Sequence, residues 1–489
     1  MEFQEQHKNN RKRGTLLFFS SLAVYLLIAL LVNRQFIGSD GRSYQRMAVN
    51  MAEGNGFSNS LEAPYEKMFF REPGYPFFFS LACRINKLAG NTNLPLPYAD
   101  PTPGYYGSGH SEILILRLLQ AVLAALTVLF FYRILLLLMK PRPAFLIPLA
   151  FILYFPFAVY VTFPQREILE TTLMTLMSWL FLKSALEKKS LLYDLLFALL
   201  AAALILTLQA YVYILPFFLL SHFLLSGSIR KTLISTLTIA TVFILGILPW
   251  GLRAYNTAHD LRVFKSFGTS YTYEYRKFHE ANARAYRLNL DGEGEKYKER
   301  IVASYQEPGK TMFEKSFDGS YIASADSLNN ITAQLATGSL TERISSFTRL
   351  QLKNNVRKAL IWPLWKSDYR KNLSTLGQEG KASLMAALLP AILVALLFLS
   401  GLLLYGLRTW FLFPVFTFHL VMIPVMADEA RRMLPWLPWY FMYSLIALYL
   451  IIKTFSRKPG REIKPASILN EYSLFHLDGK LTLKKKFTI

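Results

Sequence analysis

The chain has 489 residues, of which 53% are hydrophobic and 15% are aromatic, and its formal net charge is +22. A soluble domain of this length is not usually so apolar, and Leu-rich blocks of about twenty residues recur along it, each long enough to span a bilayer. The excess of cations is typical of cytoplasmic segments beside anionic headgroups, so nucleic acid is not expected as a partner. The one cysteine, Cys83, excludes an intrachain disulfide and a cysteine metal cluster.

Apolar runs predict about ten transmembrane helices, and therefore an all-α polytopic membrane protein. The first run is interpreted as a retained span, because NRQFIGSDG follows it where a cleaved signal peptide would have small residues. The predicted spans are 14–36, 112–139, 144–162, 166–183, 191–208, 210–226, 232–250, 382–405, 410–427 and 433–453.

Lysine and arginine residues recur at alternate ends of these spans. They are Lys8, Arg11, Lys12, Arg13, Lys140, Arg142, Lys183, Lys188, Lys189, Arg230, Lys231, Arg408, Arg457, Lys458, Arg461 and Lys464. The positive-inside rule places them all in the cytoplasm, together with both termini, and leaves 37–111 and 251–381 outside. The predicted parts are a catalytic transmembrane module at 1–255 with a first outer loop at 37–111, a small and mostly helical outer subdomain at 256–381, C-terminal helices at 382–453 and a basic cytoplasmic tail at 454–489.

A short amphipathic helix is predicted directly after the first span, in SDGRSYQRMAVNMAEG. Its apolar face consists of Tyr44, Met47, Ala48 and Met51, and its opposite side is mainly polar, with Arg42, Gln45, Arg46 and Asn50. Such a helix would lie in the membrane interface, with Ser39 or Asp40 as its N-cap and with Gly54 and Gly56 at its end. Asp40 either only caps this helix, which is worth about 1 kcal/mol, or is also a carboxylate held at the water boundary.

The segment FREPGYPFFFS predicts a second interfacial or re-entrant helix. Its apolar part is too short to span the membrane, and Pro73 and Pro76 suit the first turn of a helix. Arg71 and Glu72 precede the positive end of that helix. Arg71 either extends toward the headgroups or, with the N–H groups of the helix start, holds an anionic phosphate whose oxygens match the guanidinium fork.

Two more polar segments lie at the predicted outer boundary. In FPQREILETTLMTL, Glu167 starts a span, where the helix dipole favours it. Glu170 lies one turn further in, where an unpaired charge would be costly and therefore indicates a role or a partner. In DEARRM, Arg431 and Arg432 either extend from a hairpin loop to the headgroups or bind phosphate.

The order of these motifs resembles the C-type glycosyltransferases (GT-C), which are integral membrane enzymes that use polyprenyl-phosphate sugars. The Asp-headed helix with DGxxY and GxGFS, followed by RxPGYP, resembles their first outer loop. The likeness is closer to bacterial relatives of protein O-mannosyltransferases and lipid A aminoarabinose transferases. The segment LPWGLRAYN, with Trp250 and Arg253, and the segment DEARRMLPWLPW, with Glu429, also resemble elements of the family.

The sequence departs from this family at three positions. Gly41 follows Asp40 where the eukaryotic-type mannosyltransferases have a second acid, Gln209 stands where a basic residue is common, and Ala254 stands where asparagine is usual. These departures leave the subfamily, the sugar and the acceptor open.

The resemblance implies a hexosyl- or pentosyltransferase that moves a sugar, with inversion, from a polyprenyl-phosphate donor to an acceptor hydroxyl on the extracytoplasmic face. This chemistry needs a base for the hydroxyl and positive charge for the phosphate. Asp40 is the candidate base, and Glu167 and Glu170 are candidates for orienting the acceptor or a metal. The candidate phosphate ligands are Lys67, Arg71, Arg253, Arg431 and Arg432. The one cofactor considered is a divalent metal ion, which stays open, and the expected partners are the donor, membrane lipids and a glycan, lipid or protein acceptor.

Three other classes of membrane protein stay open. A lipid-linked sugar flippase or transporter would also have about ten spans, but it should show paired interrupted helices in two halves, which the sequence does not show. An oligosaccharide ligase or polymerase would be expected to rely more on arginine and histidine in its outer loops. A non-enzymatic assembly scaffold is a third alternative.

Overall fold

The protein is described from a computed structural model. The described residues are 2–31, 35–37, 39–58, 63, 65, 71–90, 104–106, 111–186, 191–226, 228–258, 393, 396–401, 434–435 and 437–455. The predicted span at 410–427 lies outside this set. So do the outer subdomain from residue 259 onward and the tail beyond residue 455.

Helices dominate the described residues, as the apolar runs predict. They are α1 (Glu2–Leu31), α2 (Ser39–Glu53), α3 (Gly74–Leu88), α4 (Ser111–Leu138), α5 (Pro141–Ile152), α6 (Phe155–Ala158), α7 (Glu167–Leu186), α8 (Leu191–Thr207), α9 (Leu215–Ser226), α10 (Ile229–Ala258) and α11 (Leu437–Phe455). Two 3₁₀ segments, Val159–Thr162 and Gln209–Ile214, join helices in this series.

Three of the described helices contain segments that are long and apolar enough to cross a membrane. They are Glu5–Leu31 in α1, Ile113–Leu138 in α4 and Ile229–Arg253 in α10. Shorter apolar helices run at Pro141–Ile152, Leu191–Thr207, Tyr211–Leu225 and Leu437–Leu448. The helices and their apolar composition are those of a membrane protein, and the total of about ten spans stays a prediction.

Two predicted spans are interrupted instead of continuous. The span at 144–162 ends as α5 at Ile152, and α6 and a 3₁₀ turn follow. Pro156 lacks the N–H that would bond the carbonyl of Ile152, so one helix cannot run through this point with its hydrogen bonds intact. The span at 210–226 likewise begins as a 3₁₀ segment, and its α-helical part starts only at Leu215.

The helices pack side by side around one apolar core, and their directions alternate only in part. Helix α4 packs against α1 and α7, α7 packs against α8, and α8 packs against α10. Tyr25 and Tyr132 are fully buried between these elements. Helix α11 joins the core through Phe441, whose ring lies 5.6 Å from that of Phe151 and 5.2 Å from that of Tyr154.

The first outer loop has a core of its own. Its two helices, α2 and α3, pack against each other and against α4, with Met47, Phe79 and Ala82 fully buried. Leu169 at the start of α7 and Trp250 near the end of α10 pack against the same cluster. The loop is therefore seated on the ends of the membrane helices instead of extending away from them.

A two-stranded ribbon closes the base of this loop. Strand β1 (Gln35–Ile37) pairs antiparallel with β2 (Gly104–Tyr106), so that Phe36 lies opposite Tyr105. The sequence did not predict this ribbon. It joins the chain leaving α1 to the chain approaching α4, and the first outer loop is thus tied at both ends.

Candidate functional site

Five helix ends meet beneath the first outer loop, and we call this region the loop end of the bundle. They are the C-termini of α1, α8 and α10 and the N-termini of α4 and α7. Arg117 of α4 donates a hydrogen bond to the carbonyl of Ala29, which is close to the end of α1, over 3.3 Å. Carbonyls in the last turn of a helix have no partner within that helix, and a cation there also suits the helix dipole.

Helix α2 carries the candidate base. It begins at Ser39, so Ser39 and Asp40 lie within the first turn instead of preceding it as a capping residue would. Asp40 is one turn from Tyr44, and its side chain lies outside the described part of the chain. Gly54 and Gly56 follow the helix with φ values of 88° and 82°, which confirms that these glycines end it.

The two faces of α2 are both buried, which corrects the prediction of a polar side facing the interface. The apolar face is confirmed, because Met47 and Ala48 are fully buried. On the other side, Gln45, Arg46 and Asn50 are at most 6% exposed. Asn50 also closes the turn after the helix by donating to the Ser58 carbonyl over 2.9 Å. Gln45, Arg46 and Asn50 are therefore internal parts of the site region and do not form a solvated face.

Arg71 lies on an aromatic pair that links α2 and α3. Its guanidinium carbon is 5.2 Å from the centre of the Tyr44 ring, and that ring meets Tyr75 edge to face at 4.9 Å. A cation over an aromatic face is attracted by the ring quadrupole. Arg71, the candidate phosphate ligand in the segment before α3, is thus held over Tyr44, which is one helical turn from Asp40 in the sequence of α2.

Gln120 connects α3 to the chain between α6 and α7. The Tyr75 hydroxyl donates to Gln120 Oε1 over 3.1 Å, and Gln120 Nε2 donates to the carbonyls of Val161 and Phe163 over 2.9 and 2.8 Å. Burial, with Glu167 and Tyr44 as further causes, raises the pKa of Tyr75 well above its ordinary value, so the hydroxyl stays a donor. The amide of Gln120 is fully buried and fixes three elements at once.

Arg166 lies between two carboxylates from different elements. Its Nε is 2.8 Å from Glu170 Oε1, and its Nη1 is 3.4 Å from Glu72 Oε2 in the segment before α3. Tyr211 donates to the other oxygen of Glu170 over 3.0 Å. Glu170 therefore has the partner that the cost of a buried charge predicted. Glu167, the other candidate of this motif, is 4% exposed at the start of α7.

Arg253 reaches from α10 to the first outer loop. Its Nη2 donates to the Phe57 carbonyl over 3.3 Å, and its guanidinium carbon is 4.5 Å from the centre of a Trp250 ring. Phe57 and Trp250 meet edge to face at 5.0 Å. This contact joins residues almost two hundred positions apart and brings Arg253 to the same end of the bundle as Arg71.

Gly74 is the point of closest approach between α3 and α8. A Cβ atom at this position would lie 2.5 Å from Thr207 Oγ1 and 2.8 Å from both the Leu206 carbonyl oxygen and the Thr207 nitrogen. Only glycine fits without movement of the backbone. The glycine of the RxPGYP motif thus lets the first turn of α3 rest on the last turn of α8.

The described residues leave part of the predicted set untested. Lys67, Arg431 and Arg432 lie outside them. The structure brings Arg71, Glu167, Glu170 and Arg253 together at the loop end. A possible metal has no ready ligand set there, because no group of three or more His, Cys, Asp and Glu side chains comes together within the described ranges.

Sequence reasoning missed several polar residues of this region. Arg166, Gln120 and Tyr211 were not singled out. Gln120 and Tyr211 bond to partners about forty positions away, and Arg166 also reaches Glu72, which is 94 positions away. A signal was present for Arg166 and Gln120, since each is a polar residue at or inside an apolar run.

A second buried polar cluster lies at the opposite end of the bundle. Asp194 at the start of α8 is 2% exposed and accepts hydrogen bonds from Ser184 and, over 2.6 Å, from Ser235. Ser235 also contacts His222 Nε2 at 3.4 Å, and His222 Nδ1 is 3.4 Å from Thr232 Oγ1. The cluster ties α7, α8, α9 and α10 together far from the loop end.

Neither a protein-family model nor a curated protein sequence matches the chain. Among solved structures, archaeal oligosaccharyltransferase AglB from Archaeoglobus fulgidus, in complex with an inhibitory peptide and a dolichol-phosphate, covers 94% of the chain at 14% identity and a TM-score of 0.47. The chain covers 53% of that protein and thus spans about half its length. A structure of the Archaeoglobus fulgidus enzyme in complex with Zn and sulfate matches 89% of the chain, and 49% of its own length, at 14% identity and a TM-score of 0.45.

ArnT from Cupriavidus metallidurans, bound to undecaprenyl phosphate, is also similar. It matches 89% of the chain at 12% identity and a TM-score of 0.39, and 76% of ArnT is covered.

Proposed function

We propose that this chain is a membrane glycosyltransferase that moves a sugar from a polyprenyl-phosphate donor to an acceptor hydroxyl on the extracytoplasmic face, with inversion at the anomeric carbon. The observation that carries the proposal is the seating of α2 and α3 on the ends of the membrane helices. This seating brings Arg71 of the first outer loop to the same end of the bundle as Glu167, Glu170 and Arg253.

The position suits a lipid-linked donor. A polyprenyl chain stays in the hydrocarbon, so its phosphate and sugar lie at the depth where membrane helices end. Carboxylates and arginines clustered at that depth supply the two requirements of the reaction, which are a proton acceptor and positive charge for the phosphate. An intramembrane or boundary cluster of ionisable residues is costly to maintain and usually serves function.

Asp40 is the proposed base. Its carboxylate takes the proton of the acceptor hydroxyl while the acceptor oxygen forms a bond to the anomeric carbon. The bond from that carbon to the phosphate oxygen breaks on the opposite side, and polyprenyl phosphate leaves with the bonding electron pair. One displacement inverts the configuration, and general-base catalysis of this kind contributes typically about 10²- to 10⁴-fold.

The phosphate is the proposed partner of the arginines. Arg71 presents its guanidinium group from the segment before α3 and Arg253 from α10, and Lys67, Arg431 and Arg432 are the further proposed ligands. Guanidinium forks match phosphate oxygens and neutralise the charge that develops on the leaving group. The acidic pair Glu167 and Glu170 is proposed to orient the acceptor.

We also propose the membrane orientation of the chain, its number of spans, its outer subdomain and its class of acceptor. The loop end faces the extracytoplasmic side and both termini are cytoplasmic, because the short basic connections lie at the other end. The chain has about ten spans, and residues 256–381 form an outer subdomain. The acceptor is a glycan, a lipid or a protein, and no step of the proposed mechanism passes through a metal ion.

Mass spectrometry of the cell envelope tests the proposal. Glycans, lipids and proteins are compared between cells with the gene, cells without it and deletion cells complemented with the wild type. We expect one product to lose a single sugar residue in the deletion strain and to regain it on complementation. An unchanged envelope would contradict the proposal. Accumulation of a lipid-linked sugar on the cytoplasmic face would favour a flippase, and loss of a whole preassembled oligosaccharide would favour a ligase or polymerase.

A further inference from the structure

Glu170, the second acid of α7, is held by side chains that lie outside that helix. Glu170 is 2% exposed, and both of its carboxylate oxygens are engaged by protein groups. Oε1 meets Arg166 Nε at 2.8 Å, and Oε2 accepts the hydrogen bond of the Tyr211 hydroxyl at 3.0 Å. A buried carboxylate that pairs with a guanidinium and accepts a tyrosine hydrogen bond orients both partners.

Arg166 is itself in an unusual place. It directly precedes Glu167, the first residue of α7, so its positive charge lies at the positive end of the helix dipole. That position is unfavourable for a cation unless carboxylates compensate for it. Two do so from different elements, Glu170 one turn along α7 and Glu72 in the first outer loop, and the side chains of Arg166 and Glu72 are each 15% exposed.

The ion pair between Arg166 and Glu72 connects α7 to the segment that carries Arg71. Glu72 lies between Arg71, a proposed phosphate ligand, and the start of α3 at Gly74. An ion pair from Arg166 to Glu72 therefore fixes the backbone that carries Arg71 relative to α7. Because Arg and Glu are both largely shielded from water, this pair is less screened than a surface pair.

We infer that Arg166 holds the first outer loop against α7 through its ion pair with Glu72, and that Glu170 and Tyr211 are positioning residues that orient Arg166. We call this set of contacts the bracket. In this assignment Tyr211 orients Glu170, Glu170 orients Arg166, and Arg166 holds Glu72 and with it Arg71. Glu170 then acts on the proposed transfer through Arg166 and Glu72, in place of the direct contact with the acceptor proposed above. The predicted effect of the bracket on sugar transfer rests on the proposed function. Its predicted effect on the position of the first outer loop does not.

A double-substitution series tests this bracket. The variants Glu72→Gln, Glu170→Gln and Glu72→Gln/Glu170→Gln are expressed in the deletion strain, and the rate of product accumulation is normalised to the amount of folded protein. A misplacement of about 1 Å costs about 100-fold in rate, so we expect each single variant to lose about 10- to 100-fold. The double variant should be no slower than the slower single variant, within about threefold, because both changes disable the same bracket. Glu72→Asp, which keeps the charge, should recover most of the rate.

A matched control comes from the other end of α2 and α3. Glu53 pairs with Lys87 across the same two helices at 3.1 Å, but both side chains are substantially exposed. Glu53→Gln makes the same chemical change as Glu72→Gln in a screened pair, and it should leave the rate unchanged within about twofold.

Hydrogen–deuterium exchange of residues 71–90 gives a readout that does not depend on sugar transfer. We expect faster exchange there in Glu72→Gln and in Glu170→Gln, with no further increase in the double variant. Two results would overturn the bracket. One is a double variant whose rate falls by the product of the two single losses, since Glu170 would then act directly. The other is faster exchange confined to α7 in Glu170→Gln. If wild-type cells yield no transfer product, the proposed function fails, and the exchange data alone still decide whether the bracket exists.

Discussion

Gly74 and Thr207 are in closer contact than any side chain at position 74 would allow. A Cβ atom there would be 2.5 Å from Thr207 Oγ1 and 2.8 Å from two backbone atoms of α8. The glycine of RxPGYP is therefore a packing requirement, and it sets the depth at which the first outer loop rests on the membrane helices.

Gly74→Ala should lift the start of α3 from α8. Overpacking of this kind costs about 1–3 kcal/mol, and the movement displaces Arg71 and Glu72 directly. We expect at least a tenfold loss of transfer per folded protein, measured in the complemented deletion strain. Adding Thr207→Ala should not restore the rate, because the Leu206 carbonyl oxygen and the Thr207 nitrogen remain in the way. Leu88→Ala, at the exposed far end of α3, is the control and should have little effect.

Gln120→Leu should destabilise the protein, because it removes the hydrogen-bond partner of three buried groups. It leaves the Tyr75 hydroxyl without its acceptor and the carbonyls of Val161 and Phe163 without their donor. Each unsatisfied buried group costs about 1–3 kcal/mol, so the melting temperature in detergent should fall markedly. Tyr75→Phe removes only one of these bonds and should lower it less. Equal melting temperatures for the two variants would show that the amide does not connect the three elements.

Arg253→Lys should reduce transfer although it keeps the positive charge. Lysine cannot reproduce the planar contact with Trp250 at 4.5 Å together with the bond to the Phe57 carbonyl. We expect about a tenfold loss in rate, which corresponds to about 1.4 kcal/mol of lost transition-state stabilisation. Arg84→Lys is the matched control, since Arg84 is exposed and donates to the Met51 carbonyl over 3.4 Å on the same loop. A loss of the same size in the control would remove any special role for Arg253.

Asp194→Leu should weaken the opposite end of the bundle without changing the chemistry. It removes the acceptor for two buried hydroxyls, those of Ser184 and Ser235, at a cost of about 1–3 kcal/mol for each. Thermal unfolding in detergent should therefore shift to lower temperature. The transfer rate per folded protein should stay within about twofold of the wild type. A selective loss of transfer with unchanged melting would contradict a purely structural role.

The sequence predicted the elements well where local signals decide them. The apolar lengths predict α1, α4 and α10, and Gly54 and Gly56 end α2 at positive φ as expected. Pro73 precedes α3 and Pro76 lies in its first turn, where neither needs a backbone N–H. These features depend on residues a few positions apart, so periodicity and turn chemistry are sufficient to find them.

Other features depend on contacts that no local pattern reveals. The polar side of α2 was expected in the interface, but Gln45 and Arg46 are buried because the first outer loop folds onto the helix ends. The continuous apolar run at 144–162 predicted one helix, but the chain breaks at residues 153–154, because Pro156 lacks the N–H that a continuous helix would use there. A partner or role for Glu170 was predicted; Arg166 lies four positions before it, but Tyr211, 41 positions away, could be identified only from its position in space.

The most direct measurement of the central claim is donor turnover by purified Asp40→Asn in reconstituted liposomes. Release of polyprenyl phosphate from the lipid-linked sugar identified in the envelope comparison is followed with its acceptor present. Glu53→Gln, a carboxylate-to-amide change on the same helix, is the control. We expect Asp40→Asn to lose about 10²- to 10⁴-fold in rate at unchanged melting temperature, while the control keeps its rate. Full turnover by Asp40→Asn would show that another group removes the acceptor proton and would contradict the proposed mechanism.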